Sequence, residues 1–154
     1  MAPALCTAPA PDAVRPAPGP IDAAGSLPVA IVVDDDACLR ALLGDWVESC
    51  GFLAVGVGGG PAAVEAVKYL APSVVIADLH LEGMAGHETI AAVRAIDPGV
   101  RILVATADDD PEALIRAVDA GADDVLVKPF DHGVLAAALR CVRVPGSALP
   151  FRWD

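Results

Sequence analysis

The feature that most constrains this chain is a serial alternation of short apolar runs with longer stretches of helical period. Val29–Val33 is an unbroken apolar run ended by Asp34-Asp35-Asp36. From Ala37 to Cys50 the residues Leu39, Leu42, Leu43, Trp46 and Val47 recur at helical spacing, and Gly51 stops the pattern. The alternation then repeats. Phe52–Val57 reads as a strand, Gly58-Gly59-Gly60-Pro61 as a break, and Ala62–Leu70 as a helix whose first turn suits Pro61. Ser73–Ala77 is a strand ended by Asp78, followed by a helix over His87–Ile96. Val100–Ala105, Asp110–Ala120, Asp124–Val127 and Asp131–Val142 continue as strand, helix, strand and helix.

Five such βα units in series predict one parallel sheet with helices on both faces, since each crossover between parallel strands runs right-handed over one face. The composition agrees. Hydrophobic residues make up 55% of the 154 residues and aromatic ones only 4%, so the core must be built from Val, Leu, Ile and Ala. Strands buried on both faces read in this way. The domain is expected over residues 28–143. Residues 1–27, with Ala8-Pro9-Ala10-Pro11 and Arg15-Pro16-Ala17-Pro18-Gly19-Pro20, read as a disordered Pro/Ala-rich leader. Residues 144–154 read as a short tail.

Charge and cysteines exclude other classes. The net charge of -11 opposes direct binding to nucleic acid. No apolar run is long enough to span a bilayer, so membrane insertion is not expected. Cys6, Cys38, Cys50 and Cys141 form no CxxC pair and no zinc spacing. Cys38 and Cys50 fall within apolar helical pattern, where buried thiols are ordinary. Free thiols in a reducing, cytoplasmic setting are therefore expected.

Chemistry in an open α/β sheet gathers at the carboxyl edge of the strands. Strand one ends at Asp34-Asp35, strand three at Asp78 and strand four at Thr106, while Lys128-Pro129 follows strand five. If the order is 2-1-3-4-5, strands one and three are neighbours and Asp34, Asp35 and Asp78 converge. Carboxylates so close imply a cation, and few oxygen ligands with room for water favour Mg²⁺ over Ca²⁺. Each residue also has an ordinary structural reading. Asp36 suits the N-cap of the first helix, Asp78 could cap a loop, Thr106 could be a plain strand-end hydroxyl and Lys128 a solvated lysine. It is their joint occurrence at the right strand ends that points to a site.

The segments Ile31–Asp36 (IVVDDD), Val74–Gly86 (VVIADLHLEGMAG), Val104–Ala107 (VATA) and Gly121–Phe130 (GADDVLVKPF) resemble the receiver domains of two-component response regulators over roughly residues 29–143. That resemblance implies a flavodoxin-like (βα)5 doubly wound fold with strand order 2-1-3-4-5. It implies Mg²⁺ held by Asp35, Asp78 and the backbone carbonyl of His80, with Asp34 acting through water. Asp78 would take a phosphoryl group from a phosphohistidine on a sensor histidine kinase or a histidine phosphotransfer protein, with Thr106 and Lys128 on the phosphoryl oxygens. It also implies a cis Lys128–Pro129 bond and a homodimer contact through the fourth helix, fifth strand and fifth helix. With few residues after Val142, output is expected through a downstream protein target or by onward transfer in a phosphorelay.

Three positions depart from the family. Glu82 replaces a usual proline, Val125 replaces a frequent aromatic that reports phosphorylation, and His80 sits where side chains modulate phosphoryl lifetime, though an exposed loop histidine serves equally as its reading. No effector domain is expected after Val142, unless the chain is a fragment of a longer regulator. The rival readings are a non-phosphorylated interaction module of receiver shape and a Mg²⁺-dependent phosphohydrolase. The second would ordinarily carry an Asp where this chain has His80.

Overall fold

The computed structural model describes residues 27–140 and 142. The leader and tail, with Cys6 and Cys141, lie outside the described residues. The strands are β1 (Val29–Val33), β2 (Leu53–Val57), β3 (Val74–Ala77), β4 (Arg101–Thr106) and β5 (Asp124–Val127). The helices are α1 (Ala37–Ser49), α2 (Gly60–Leu70), α3 (Gly86–Ile96), α4 (Pro111–Ala120) and α5 (His132–Leu139). All strand pairs are parallel and the order is β2-β1-β3-β4-β5, as expected.

The period of two along each strand divides the core into two layers. Ala30, Val32, Val74, Ile76, Leu103, Ala105 and Leu126 face α1 and α5, packing with Leu43, Val47, Leu135 and Leu139. Their neighbours Ile31, Val33, Val75, Ala77, Ile102 and Val104 face α2, α3 and α4, packing with Ala63, Val67, Ile90, Val93 and Ala117. Both faces of the inner strands β1, β3 and β4 are therefore dry, which is why these strands read as apolar runs. Each fully buried Ile or Leu contributes about 1.5–3 kcal/mol by leaving water.

Several element ends differ from the expectations by one to three residues, and at α5 local chemistry explains the difference. Asp36 is the N-cap of α1, as expected, accepting from the backbone N–H groups of Cys38 and Leu39. Asp131 does the same for α5 by accepting from Val134 N, so it caps the helix and does not open it. At the other end α5 stops at Leu139, three residues before the expected Val142. Val142 remains buried, with its N–H on the Leu139 carbonyl. The apolar pattern continued there past the last helical turn.

Cys38 departs from expectation. It is exposed at the first turn of α1 and is disulfide-bonded. An exposed position leaves the sulfur open to a partner, as a place within the apolar stripe would not. The cysteines therefore no longer argue for a reducing compartment. Cys50 is the buried free thiol expected, and burial pushes its pKa up. At the amino edge of the sheet Arg94 ties three segments together. Its guanidinium donates to the carbonyls of Pro98, Val100 and Gly121 and to the Asp123 carboxylate. No helix among the described residues is long and apolar enough to cross a membrane.

Candidate functional site

Because β1 and β3 are hydrogen-bonded neighbours, their carboxyl ends deliver acidic residues to one place. Val33 pairs with Ala77, and the next residue, Asp78, donates its N–H to the Val33 carbonyl at 3.0 Å. Asp34, Asp35 and Asp78 each offer a carboxylate oxygen, and these atoms lie within 4.8 Å of one another. Asp34 is buried, Asp78 half-buried and Asp35 exposed at the mouth. Such a graded pocket leaves one side open for water or an incoming group.

Lys128 closes the pocket from the β5 side. Its Nζ donates to Asp34 Oδ2 and to Asp78 Oδ2, both at 3.0 Å. Its backbone N–H reaches the Thr106 carbonyl at 2.7 Å, which ties the β5 end to the β4 end. The Lys128–Pro129 peptide bond is cis, as the resemblance implied. Burial alone would lower the Lys128 pKa. The hydrogen bonds to Asp78 and then Asp34, together with their charges, outweigh that and raise it. The ammonium is thereby held charged between two carboxylates.

The remaining expected residues take distinct places. Thr106 is fully buried at the end of β4, and its Oγ1 accepts from Asp108 N at 3.1 Å. His80 donates its backbone N–H to Asp78 Oδ1 at 3.2 Å. Its exposed imidazole meets Asp108 Oδ2 at 2.9 Å, bridging the β3–α3 and β4–α4 loops beside the pocket. The Asp108 carboxyl is held below its usual range, first by the Asp110 backbone N–H and then by the His80 ring. Gly86 is required by close approach, since a Cβ there would collide with Leu79 backbone atoms and the Asp78 carbonyl.

Two participants were not anticipated. Asp108 as the His80 partner had no signal in sequence spacing, because it depends on β3 and β4 being adjacent. Arg40 is the other. Its Nη1 donates to the Asp34 carbonyl at 2.8 Å. The glycines at 56 and 58, opposite the first turns of α1, were the available hint.

The donor set suits a small hard cation. It is all oxygen, anionic and partly open to solvent, and the single lysine leaves the three carboxylates undercompensated. A Mg²⁺ ion fits these residues.

Comparisons with known proteins agree with this arrangement. The family model for the response regulator receiver domain matches residues 30–140. The DNA-binding response regulator MtrA of Mycobacterium tuberculosis is 39% identical over 110 residues, covering 71% of this chain and 48% of MtrA. The chain thus spans about half the length of the MtrA relatives it matches. Chemotaxis protein CheY of Thermotoga maritima is 35% identical over 113 residues, covering 73% of this chain and 94% of CheY. Among solved structures, chemotaxis protein CheY4 of Vibrio cholerae superposes with a TM-score of 0.71 at 26% identity, covering 77% of this chain and 100% of that one. A Burkholderia pseudomallei response regulator, solved with a phosphorylated aspartic acid and a calcium ion, gives 0.69 at 28% identity, covering 73% and 66%.

Proposed function

The chain belongs to the response regulator receiver domain family, and from that premise we propose that it accepts a phosphoryl group on Asp78 from a sensor histidine kinase or a histidine phosphotransfer protein. The observation that carries this reading is the convergence of Asp34, Asp35 and Asp78 under the Lys128 ammonium. An Asp78 carboxylate oxygen attacks phosphorus, the bond from phosphorus to the donor imidazole breaks, and the imidazole leaves with the electron pair. Phosphoryl transfer asks a protein mainly for alignment and for neutralisation of the equatorial oxygens. Bound Mg²⁺, held by Asp35, Asp78 and the His80 carbonyl with Asp34 acting through water, would supply part of that neutralisation. Lys128 already touches Asp78 and can shift to a phosphoryl oxygen with little motion. Thr106, one strand over, offers its hydroxyl to another. Small Ala107 leaves room for the group.

Output in this reading runs through protein–protein contact with a downstream target, in a cytoplasmic setting. The exposed Ile115 and Val118 on α4, Val127 on β5 and Val134 on α5 support a contact face there, for that target or for a homodimer. Val125 lacks the aromatic ring that would change rotamer with Thr106. Readout then passes through Thr106, the Asp108–Asp110 loop or α4. A non-phosphorylated interaction module is not favoured, because nothing in such a module would require three carboxylates and a lysine to meet.

Incubation of the chain with acetyl phosphate tests the proposal. A phosphoryl mass increment is expected with Mg²⁺ and none with EDTA. Equal incorporation in EDTA would overturn the cation's part in it.

A further inference from the structure

Arg40 has no part in the chemistry above, yet it grips the pocket from behind. We propose that Arg40 is a positioning residue for the cation site, holding the Asp34–Asp35 peptide so that the Asp35 carboxylate stays with those of Asp34 and Asp78. The inference rests on the reading of that pocket as a Mg²⁺ site.

The side chain of Asp35 is exposed and accepts no hydrogen bond among the described residues, so the backbone's placement of its Cα is what keeps its carboxylate within reach of the other two. Asp34, just before it, is held on every polar atom. Its N–H donates to the Val57 carbonyl at 3.2 Å. Its Oδ1 accepts from Asp36 N at 2.9 Å, and its Oδ2 accepts from Lys128. Its carbonyl, which belongs to the same peptide plane as Asp35 N, accepts from Arg40 Nη1. Among the described residues Arg40 is the one side chain that fixes the orientation of that plane.

The end of β2 is shaped to admit this arginine. At Gly56 a Cβ would lie 3.1 Å from Arg40 Cγ and 3.2 Å from Cδ, and at Gly58 one would lie 3.5 Å from Nη1. Neither glycine is among those with positive φ, so backbone freedom does not require them. They leave a smooth floor along which the arginine stem runs from α1 to the Asp34 carbonyl. Gly56 and Arg40 therefore act as a matched pair.

Coulomb's law gives the opposite expectation from positioning. Removal of a positive charge near an acidic pocket would by itself tighten cation binding. Loss of a residue that orients the ligands weakens it, by roughly tenfold where such outer partners have been removed from metal sites. Calorimetric titration of the full chain with Mg²⁺ separates the two. Arg40→Met is expected to raise the dissociation constant about tenfold. Gly56→Ala, which crowds the arginine stem at Cγ and Cδ, should raise it by less than Arg40→Met and add little in the double variant. Arg94→Met, which removes bonds at the far edge of the sheet, should lower the melting temperature and leave Mg²⁺ affinity unchanged. An Arg40→Met dissociation constant at or below that of wild type overturns the inference, as does an equal shift in Arg94→Met. A wild-type chain that takes up no Mg²⁺ overturns the pocket reading and this inference with it. A wild type that binds while Arg40→Met binds equally well overturns the inference alone.

Discussion

Asp78→Asn is expected to abolish phosphoryl incorporation from acetyl phosphate while leaving the fold intact. The substitution keeps the size of the side chain and one of its two acceptor oxygens, so of the bonds that Oδ1 accepts from His80 N and Oδ2 from Lys128 Nζ one is retained and the other lost. It removes the anionic oxygen that attacks phosphorus and one anionic ligand of the cation. Loss of a nucleophile is not graded, because no neighbouring group replaces it. Asp34 is buried and already occupied by Lys128 and Asp36 N, and Asp35 stands at the mouth. Mass spectrometry before and after the donor, with circular dichroism on the same sample, checks both halves. A phosphoryl increment that survives in a folded Asp78→Asn chain would place the acceptor elsewhere.

Lys128→Met should cost the most stability of any change in the pocket. The lysine bonds two carboxylates at 3.0 Å, and its side chain is 15% exposed against 2% for Asp34 and 12% for Asp78. Methionine fills a similar volume but leaves those charges facing each other with no cation between them. Removal of one partner from a buried ion pair costs about 3–5 kcal/mol. The open mouth of this pocket argues for the lower end, near 3 kcal/mol, or a fall of roughly 10 °C in melting temperature. Added Mg²⁺ should restore part of the loss, since it stabilises the folded state that binds it.

The pH dependence follows from the same contact. Lys128 has its folded pKa raised above the unfolded value of about 10.4, so its contribution is complete below that pH. The contribution is lost as pH rises through the higher folded value. The gap between wild type and Lys128→Met should therefore be full at pH 7 and narrow in strong base. Melting curves in metal-free buffer across that range measure it. A gap already closed at pH 7 would mean that the lysine does not pair with the acids in solution.

The fold was legible because its inner strands are buried on both sides. Val29–Val33 and Val74–Ala77 carry no polar residue, and each stops at the aspartate that marks the sheet edge. The acidic pocket was legible for the same reason, since strand ends in a parallel sheet share one rim. Contacts that depend on side-chain reach between distant segments could not be read. The His80 ring meets Asp108 across 28 residues, and the Arg40 stem crosses Gly56 on a neighbouring strand. Neither follows from spacing until the strand order and the helix facing are both fixed. Cys38 misled because an apolar period does not show which face of the first turn is covered. The end of α5 misled because Val142 is buried without being helical.

A structure of the chain with Mg²⁺ and beryllofluoride tests the central claim most directly. One cation is expected to touch Asp35 and Asp78, with the fluoride group on an Asp78 oxygen within reach of the Thr106 hydroxyl and the Lys128 ammonium. A structure in which the ion settles elsewhere, or in which Asp78 carries no fluoride group while Lys128 remains on both carboxylates, would contradict it.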